Sequence, residues 1–319
     1  MGTYLVIKNN LKRSFYNRIL FILLLVLPVL LTVLIGFVNQ ISSNSLRVGI
    51  LTEENLVSTE NMTDILHPSE NIQYKQANVN SIHTDLIMKK FDFILDFRYA
   101  KEEKDYEVIT YYGVEEETQK EVGITPTERM TAFLLTLLMI TSTLNASGLI
   151  RDRKDGTLTR YRYSPQGVAS YLSGYVFYTM IMAALQIAFS LLILRLLQIP
   201  FHLSLGSTII IGTLIVGISS AFGTFISVTC KSDMKANITA SSIAMFCSAI
   251  GGNFVPYVQM PNIMKSISVF SPVRWILTIT QSMEQGIQMG NHPVPYIISV
   301  GFIVLLCISA LASIRFKKY

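Results

Sequence analysis

The chain has 319 residues, of which 50% are hydrophobic and only 15% are charged, with a formal net charge of +5. A soluble domain carries about 25% charged residues, so this composition excludes an ordinary soluble protein. Apolar runs of about 20 residues, the length of a membrane-spanning helix, recur along the chain, whereas a transmembrane β-barrel shows alternating segments of about 10 residues. The sequence therefore predicts an all-α polytopic membrane protein.

The basic residues are concentrated in four short segments. Residues 1–18, 151–170, 230–235 and 315–319 together hold 14 Lys and Arg but only 3 acidic residues, whereas residues 42–128 hold 8 basic and 17 acidic residues. Lys and Arg are retained in short loops on the cytoplasmic side of membranes. This partition predicts six transmembrane helices with both termini in the cytoplasm, and it indicates topology rather than binding to nucleic acid.

Residues 1–18 are predicted to form a cytoplasmic amphipathic helix in the membrane interface, because apolar side chains recur at helical spacing just before a membrane span. Its apolar face is expected to consist of Tyr4, Ile7, Leu11 and Phe15. The first transmembrane helix is predicted over residues 19–40 and contains Pro28.

Residues 41–127 differ in character, because they are polar and acidic and contain alternating strand and helix patterns. Strands are predicted at 47–51, 72–76, 91–97 and 106–112, and helices at 54–66 and 79–90. Strands alternating with helices favour a small α/β domain. We predict that this domain is extracytoplasmic and lies between spans one and two.

Residues 128–319 contain the five remaining predicted spans, at 130–150, 171–194, 207–229, 236–255 and 294–314. Gln186 lies in the middle of the third span. The segment 256–293 is interrupted by prolines, and neither half is long enough to cross a bilayer. We therefore predict a re-entrant segment on the outer side of the membrane.

Small residues recur every fourth position on the fourth and fifth spans. They are Ser219, Gly223 and Ser227, followed by Ala240, Ala244 and Ser248. This spacing lets membrane helices approach closely. The sequence leaves open whether the contact lies within one protomer or between two.

The loop 151–170 between spans two and three has its own local pattern. Gly156 is expected to end a helix or permit a turn, Thr157 to cap a new short helix, and Pro165 to stop it. The pattern predicts a helix end, a turn and a short helix on the membrane surface. The alternative is an ordinary basic loop that only fixes topology.

The run that begins D-G-T-L at Asp155 resembles the first cytoplasmic loop of bacterial type 2 ABC permeases. The matching residues are Asp155, Gly156, Thr157, Leu158, Ser164 and Pro165. That family usually has a leucine shortly before the small-residue–Pro pair, where this chain has the sequence Tyr-Arg-Tyr.

A second region strengthens the resemblance, because that family has Gly-aromatic-Pro at the end of the fifth span, then Met-Pro, then Pro followed by Trp. The corresponding residues here are Gly252, Phe254, Pro256, Met260, Pro261, Pro272 and Trp275. The order of these features covers nearly the whole chain. The large domain after span one resembles the drug-, lipid- and peptide-exporting branch.

The resemblance implies a permease subunit of an ATP-binding cassette exporter in the bacterial plasma membrane. Such a subunit moves a hydrophobic or amphipathic cargo, as in multidrug efflux, and is not itself an enzyme. A separate ABC ATPase subunit would bind ATP and Mg, so the permease needs no cofactor of its own. The expected partners are that ATPase, a second permease copy or paralogue, and membrane lipids.

The resemblance also implies two sites. Coupling to the ATPase is assigned to Asp155, Gly156, Thr157, Leu158, Arg160 and Tyr161. We expect Leu158 and Tyr161 to face the ATPase, Arg160 to form an ion pair with it, and the Asp155 carboxylate to accept backbone N–H groups at the start of the short helix. The helix carrying Lys8 and Lys12 is expected to pack beside it. An outer gate is assigned to Gly252, Phe254, Pro256, Tyr257, Met260, Pro261, Pro272 and Trp275.

Several motifs are missing from the sequence. No G-x-x-x-x-G-K-[ST] motif is present to bind nucleotide phosphates, and no metal-ligand spacing occurs. A proton-coupled transporter needs ionisable residues within its spans, and the predicted spans carry almost none. An external energy source is therefore expected. The alternative function is a non-transporting membrane sensor or scaffold whose outer domain binds a ligand.

Overall fold

The structure is a computed structural model that describes residues 2–16, 18–43, 46–51, 72–77, 82, 91, 93–96, 107–109, 124–199, 201, 203–257, 260–287 and 289–316. The chain divides into two compact units. The large unit comprises Met1–Phe37 and Val122–Tyr319, and the small unit comprises Val38–Glu121.

The small unit contains a four-stranded sheet. Its strands are β1 (Leu46–Leu51), β2 (Ile72–Gln76), β3 (Phe93–Asp96) and β4 (Glu107–Ile109), in the order β2-β1-β3-β4. β1 is parallel to both β2 and β3, whereas β4 is antiparallel to β3. Each strand overlaps a strand predicted from the sequence.

The core of the small unit is apolar and lies against β1 and β3. Leu51, Phe91 and Ile94 are buried, and Ala77 and Ile82 pack against them. Parallel neighbours require crossover connections, which are usually helical. The helices predicted at 54–66 and 79–90 lie outside the described residues, apart from position 82, and the predicted extracytoplasmic location stays a prediction.

The described part of the large unit consists of helices and the connections between them. Its helices are α1 (Gly2–Tyr16), α2 (Arg18–Ser43, with residues 38–43 in the small unit), α3 (Pro126–Ala146), α4 (Gly148–Lys154), α5 (Thr157–Arg162), α6 (Gly167–Leu196), α7 (Leu205–Thr229), α8 (Asp233–Gly251), α9 (Asn262–Ser268), α10 (Pro272–Glu284) and α11 (Val294–Phe316).

Four helical stretches in the described residues are long and apolar enough to cross a membrane. They are Pro126–Lys154, Gly167–Leu196, Leu205–Thr229 and Val294–Ile314. The first predicted span contributes a shorter apolar stretch, Leu24–Phe37. The fifth corresponds to α8, which has 19 residues and several polar ones. The chain is thus a mostly helical polytopic membrane protein, and the total of six spans stays a prediction.

Helix α3 begins four residues before the predicted start of the second span. Thr125 accepts a hydrogen bond from the Glu128 N–H at 3.1 Å, and Glu128 accepts one from the Thr125 N–H at 3.4 Å. Pro126 occupies the first helical turn. This capping box, with proline at the first helical position, starts a helix earlier than hydrophobicity alone indicates.

The two predicted small-residue stripes pack inside the large unit. All six members are buried, namely Ser219, Gly223, Ser227, Ala240, Ala244 and Ser248. A Cβ atom on Gly223 would lie 2.5 Å from the backbone carbonyl carbon of Ser142, so α7 and α3 touch at the backbone. The structure therefore places these contacts within one protomer.

The segment 256–293 contains two short helices, α9 with 7 residues and α10 with 13. A membrane-spanning helix needs about 20 residues, so neither helix can cross a bilayer alone. One face of α10 belongs to the main core: Val273, Ile276 and Ile279 are fully buried against α3, α7 and α8.

Candidate functional site

The basic loop, residues 151–165, turns at Gly156. This glycine has φ +73°, and the next helix, α5, begins at Thr157. The Gly156 carbonyl accepts a hydrogen bond from the Arg160 N–H at 3.1 Å. The predicted turn is therefore present, but Thr157 is the first helical residue rather than its cap.

No side-chain hydrogen bond caps α5 in the described structure. The expectation that Thr157 or the Asp155 carboxylate would do so is wrong in this conformation. The reason is that Gly156 itself occupies the N-cap position, where it offers a carbonyl but no side-chain oxygen. Asp155 is exposed, and its backbone N–H donates to the Arg151 carbonyl at 2.9 Å.

The apolar face of α5 points into the protein. Leu158 is only 4% exposed and belongs to a buried cluster with Val6, Tyr171 and Tyr175. The Tyr161 ring lies 4.7 Å from the Tyr171 ring. The expectation that Leu158 faces a partner is therefore wrong in this conformation, and Tyr161 is partly buried beside it against α6.

Asp152 is the buried acid at the centre of the loop's packing. It is 8% exposed. Its carboxylate accepts hydrogen bonds from Arg13 at 2.6 Å, Tyr171 at 2.5 Å and Tyr175 at 2.6 Å. The hydrogen bond to Asp152 raises the pKa of the Arg13 guanidinium above its usual value. A buried charge with this many partners is compensated, and it joins α1, α4 and α6.

Two arginines of the loop bind the ends of other helices. Arg153 donates to the carbonyls of Ser227, Val228 and Cys230 at 3.2, 2.7 and 3.1 Å, where α7 ends. Arg162 donates to the Ile314 carbonyl in the last turn of α11 at 2.9 Å. Carbonyl groups at a helix C-terminus lack helical partners and carry partial negative charge, which suits a guanidinium.

Helix α1 packs against α6 through a stripe of small side chains. A Cβ on Gly174 would lie 2.6 Å from the Val6 Cβ. The Thr3 hydroxyl lies 2.9 Å from the Ser170 hydroxyl, and Ser14 lies 2.5 Å from the Tyr178 hydroxyl. These contacts place α1 beside the basic loop.

The predicted apolar face of α1 is only partly packed, because Leu11 contacts the buried cluster whereas other members of the face are exposed. Tyr4 and Phe15 are 65% and 55% exposed, which leaves them free to contact lipid. Lys8 and Lys12 are also exposed. The ion pair between α1 and the loop is made by Arg13 and Asp152.

The residues of the predicted outer gate lie in the proline segment, 252–284. Gly252 ends α8 with φ +109°. Phe254 is 52% exposed, and its ring meets the Phe133 ring edge-on at 5.6 Å. The Arg274 guanidinium lies 3.6 Å from the centre of the Tyr257 ring, a close cation–π contact.

Other members of this group are buried, start a helix or join two helices. Met260 is buried, so it cannot line an open surface in this conformation. Pro261 precedes α9, and Pro272 starts α10. The Trp275 N–H donates to the Val269 carbonyl at 2.8 Å, which joins α10 to the end of α9.

Comparison with known proteins identifies the family. Residues 91–284 match the family described as ABC-2 type transporter. The chain belongs to the ABC-2 type transporter family. No curated protein matches the chain. Members of this family are membrane transport components, and they normally work with an ABC ATPase subunit.

The matched region of this ABC-2 permease contains both candidate sites. It includes the basic loop and the proline segment, together with helices α3 to α10. Helices α1, α2 and α11 lie outside it, although α1 and α11 hold the loop through Arg13 and Ile314.

Sequence reasoning missed the hydrogen-bonded centre of the permease loop. Asp152 lies among basic residues in the sequence, and Arg13 is one of several basic residues in α1. Neither context predicts that the two form a pair. The available signal was the pair Tyr171 and Tyr175, which lie one helical turn apart near the start of a membrane span and offer two hydroxyls to one acceptor.

Proposed function

We propose that this permease is the membrane subunit of an ATP-driven exporter, and that its separate ATPase subunit docks on the exposed side of α5. The observation that carries the proposal is the asymmetry of the basic loop. The side of the loop that faces the protein is bonded to four helices, whereas the opposite side is exposed. Such a segment can bind a partner on its exposed side and transmit the partner's movement to the membrane helices.

The proposed docking surface consists of exposed residues on and beside α5. They are Asp155, Thr159, Arg160 and Tyr163. Tyr163 is 84% exposed, and it lies three residues from Arg160, so the two side chains share one side. Tyrosine and arginine are enriched among the residues that dominate binding energy at interfaces.

The bonded side of the loop supports a role in transmission. Leu158 and Tyr161 press on α6, Arg153 holds the end of α7, and Arg162 holds the end of α11. Closure of an ATPase against α5 would therefore displace three membrane helices together.

The proposed assembly contains two permease copies, or one copy and a paralogue, with two ATPase subunits that bind ATP and Mg. Oligomers of this kind close most simply with twofold symmetry. We place six spans in the bacterial plasma membrane, with both termini and the basic loop in the cytoplasm. Exposed Tyr4 and Phe15 of α1 would then contact lipid.

The proposed cargo is hydrophobic or amphipathic, such as a drug, a lipid or a peptide. The exposed Phe254 ring and the half-buried Tyr257 and Trp275 rings are candidates for an outer gate. Met260 supports this region from the core rather than lining it.

The proposal is tested by purifying the permease from its native membranes. An ATPase subunit carrying a phosphate-binding loop is expected to co-purify, and Tyr163→Ala is expected to lower its recovery at least tenfold, since interface tyrosines of this kind contribute about 2 kcal/mol or more. Tyr16→Ala is the matched control, because Tyr16 is 91% exposed on α1. A permease that brings no ATPase with it, and binds a ligand through the small unit, would be a sensor or scaffold instead.

A further inference from the structure

Pro28 leaves one carbonyl of α2 without its helical partner. In a regular helix the Leu24 carbonyl would accept the N–H of residue 28, and proline has no N–H. Leu24 is 5% exposed and Pro28 is buried. In an apolar environment the freed carbonyl must find another donor, which neighbouring helices can supply.

Gln186 of α6 supplies that donor. Its side-chain nitrogen lies 2.7 Å from the Leu24 carbonyl oxygen, and the residue is fully buried. Its side-chain oxygen lies 3.3 Å from the Thr141 hydroxyl of α3. A backbone carbonyl only accepts hydrogen bonds, so the amide must present its NH₂ group to Leu24.

The rest of the packed face of α2 is mainly apolar, with Val29 buried and Phe21, Val33 and Ile35 packed against buried clusters. Leu24, Pro28, Thr32 and Gly36 follow one another at one-turn intervals and are buried. The Thr32 hydroxyl donates to the Pro28 carbonyl at 2.7 Å, inside the same helix. The opposite face exposes large apolar side chains, including Leu30 at 61% and Leu34 at 59%. The Gln186 bond is therefore a specific polar contact to a helix whose other packing contacts are mainly apolar.

We propose that Gln186 is a positioning residue for transport: it docks α2 through the carbonyl that Pro28 frees, and α2 moves about Pro28 when this bond opens. Proline is a common position for a kink in a helix. A side-chain amide can release its acceptor by changing rotamer, whereas a regular helical hydrogen bond cannot open without unwinding the helix. The transport consequence rests on the proposed function, but the docking of α2 does not.

The proposal predicts a dependence that simple core packing does not share. Replacing Pro28 with Ala restores the missing N–H, so the Leu24 carbonyl is paired inside α2. Gln186→Leu should then disturb docking only while residue 28 is proline. A glutamine that merely fills space would have the same effect in both backgrounds.

The test uses the full-length permease alone in lipid nanodiscs, with Cys230, Cys247 and Cys307 replaced by Ser. Spin labels are placed on Leu34 and Leu192, which are 59% and 54% exposed, and the distance between them is measured by pulsed electron paramagnetic resonance. Gln186→Leu is expected to raise the ratio of undocked to docked α2 about tenfold, given the strength of hydrogen bonds between membrane helices. In the Pro28→Ala background the same change should alter the ratio less than twofold.

Ser190→Ala is the matched control, because Ser190 is buried one turn along α6 and its hydroxyl bonds to its own helix. It should leave the distances unchanged. Equal effects of Gln186→Leu in both backgrounds, or no effect in either, would overturn the proposal. A second measurement adds the ATPase and ATP: a distance pattern as predicted, without ATP-driven cargo movement by the wild type, would leave the docking contact intact and reject the proposed function.

Discussion

Asp152 bonds the basic loop to two neighbouring helices from a buried position. Its carboxylate joins a cation of α1 to two hydroxyls of α6. Removing one partner from a buried, hydrogen-bonded charge costs far more than removing an exposed charge, because the remaining groups stay buried without partners.

Asp152→Ala is therefore expected to destabilise the permease by about 3 kcal/mol, the lower end of the range for buried pairs, because the Arg13 side chain is partly exposed and can be solvated. Thermal unfolding of the purified protein in detergent measures this. Asp155→Ala is the control: Asp155 is exposed three residues away, and its loss should change stability by about 0.5 kcal/mol or less. Equal unfolding temperatures for the two variants would contradict the role given to Asp152.

Gly156 is constrained by its backbone and not by its surroundings. It has φ +73°, yet a Cβ at this position would meet nothing within 4 Å. A β-branched residue there is strained by about 1–2 kcal/mol, whereas asparagine tolerates this conformation better. We expect Gly156→Val to weaken binding of the ATPase and Gly156→Asn to retain most of it.

Gly290→Val provides the comparison for Gly156, since Gly290 also has open space around it but no positive φ. Co-purification of the ATPase, at equal permease levels in the membrane, is the measurement. If Gly156→Val and Gly290→Val behave alike, the left-handed turn does not matter for coupling.

At the scale of helices, hydrophobic runs predict the positions of the long helices well. Local side-chain hydrogen bonds explain the helix start that the runs place wrongly. Helices α6, α7 and α11 lie within a few residues of the predicted spans. The early start of α3 depends on the reciprocal bonds of Thr125 and Glu128, which a hydrophobicity pattern does not register.

The faces of the short helices were harder to predict than their existence. Of the apolar stripe predicted on α1, Leu11 packs against the core whereas Tyr4 and Phe15 are exposed. Val6, which lies outside that stripe, closely approaches Gly174 of α6. Leu158 and Tyr161 likewise share a face, and the sequence could not show that α6 covers it. A one-dimensional pattern identifies an apolar face but not what lies against it.

Helices α3 and α7 are in contact at Gly223, so this position should tolerate no side chain. Leucine there must displace the Ser142 backbone, 2.5 Å from the Cβ position. We expect Gly223→Leu to abolish the monodisperse peak in fluorescence-detected size-exclusion chromatography. Gly301→Leu on α11, where nothing lies within 4 Å, should elute like the wild type. A normal Gly223→Leu profile would show that the two helices are not packed as described.

At the scale of the whole molecule, the partition of charge predicts the membrane topology. If the chain has six spans, one orientation places all four basic segments in the cytoplasm and the acidic stretch 42–128 on the other side. The family match adds the permease assignment over residues 91–284, but it does not say which side of the membrane each loop occupies. The proposed docking of an ATPase on α5 requires the basic loop to be cytoplasmic.

Orientation can be measured with single cysteines in a Cys-free permease. Tyr163 is 84% exposed in the basic loop, and Met289 is 50% exposed between α10 and α11. With the basic loop inside, a membrane-impermeant maleimide should label Met289→Cys in intact cells, and Ser58→Cys in the acidic stretch likewise, but Tyr163→Cys only after the membrane is permeabilised. This orientation is expected because Lys and Arg are concentrated in short cytoplasmic loops. Labelling of Tyr163→Cys in intact cells, with the other two protected, would reverse the topology and remove α5 from the reach of any cytoplasmic ATPase.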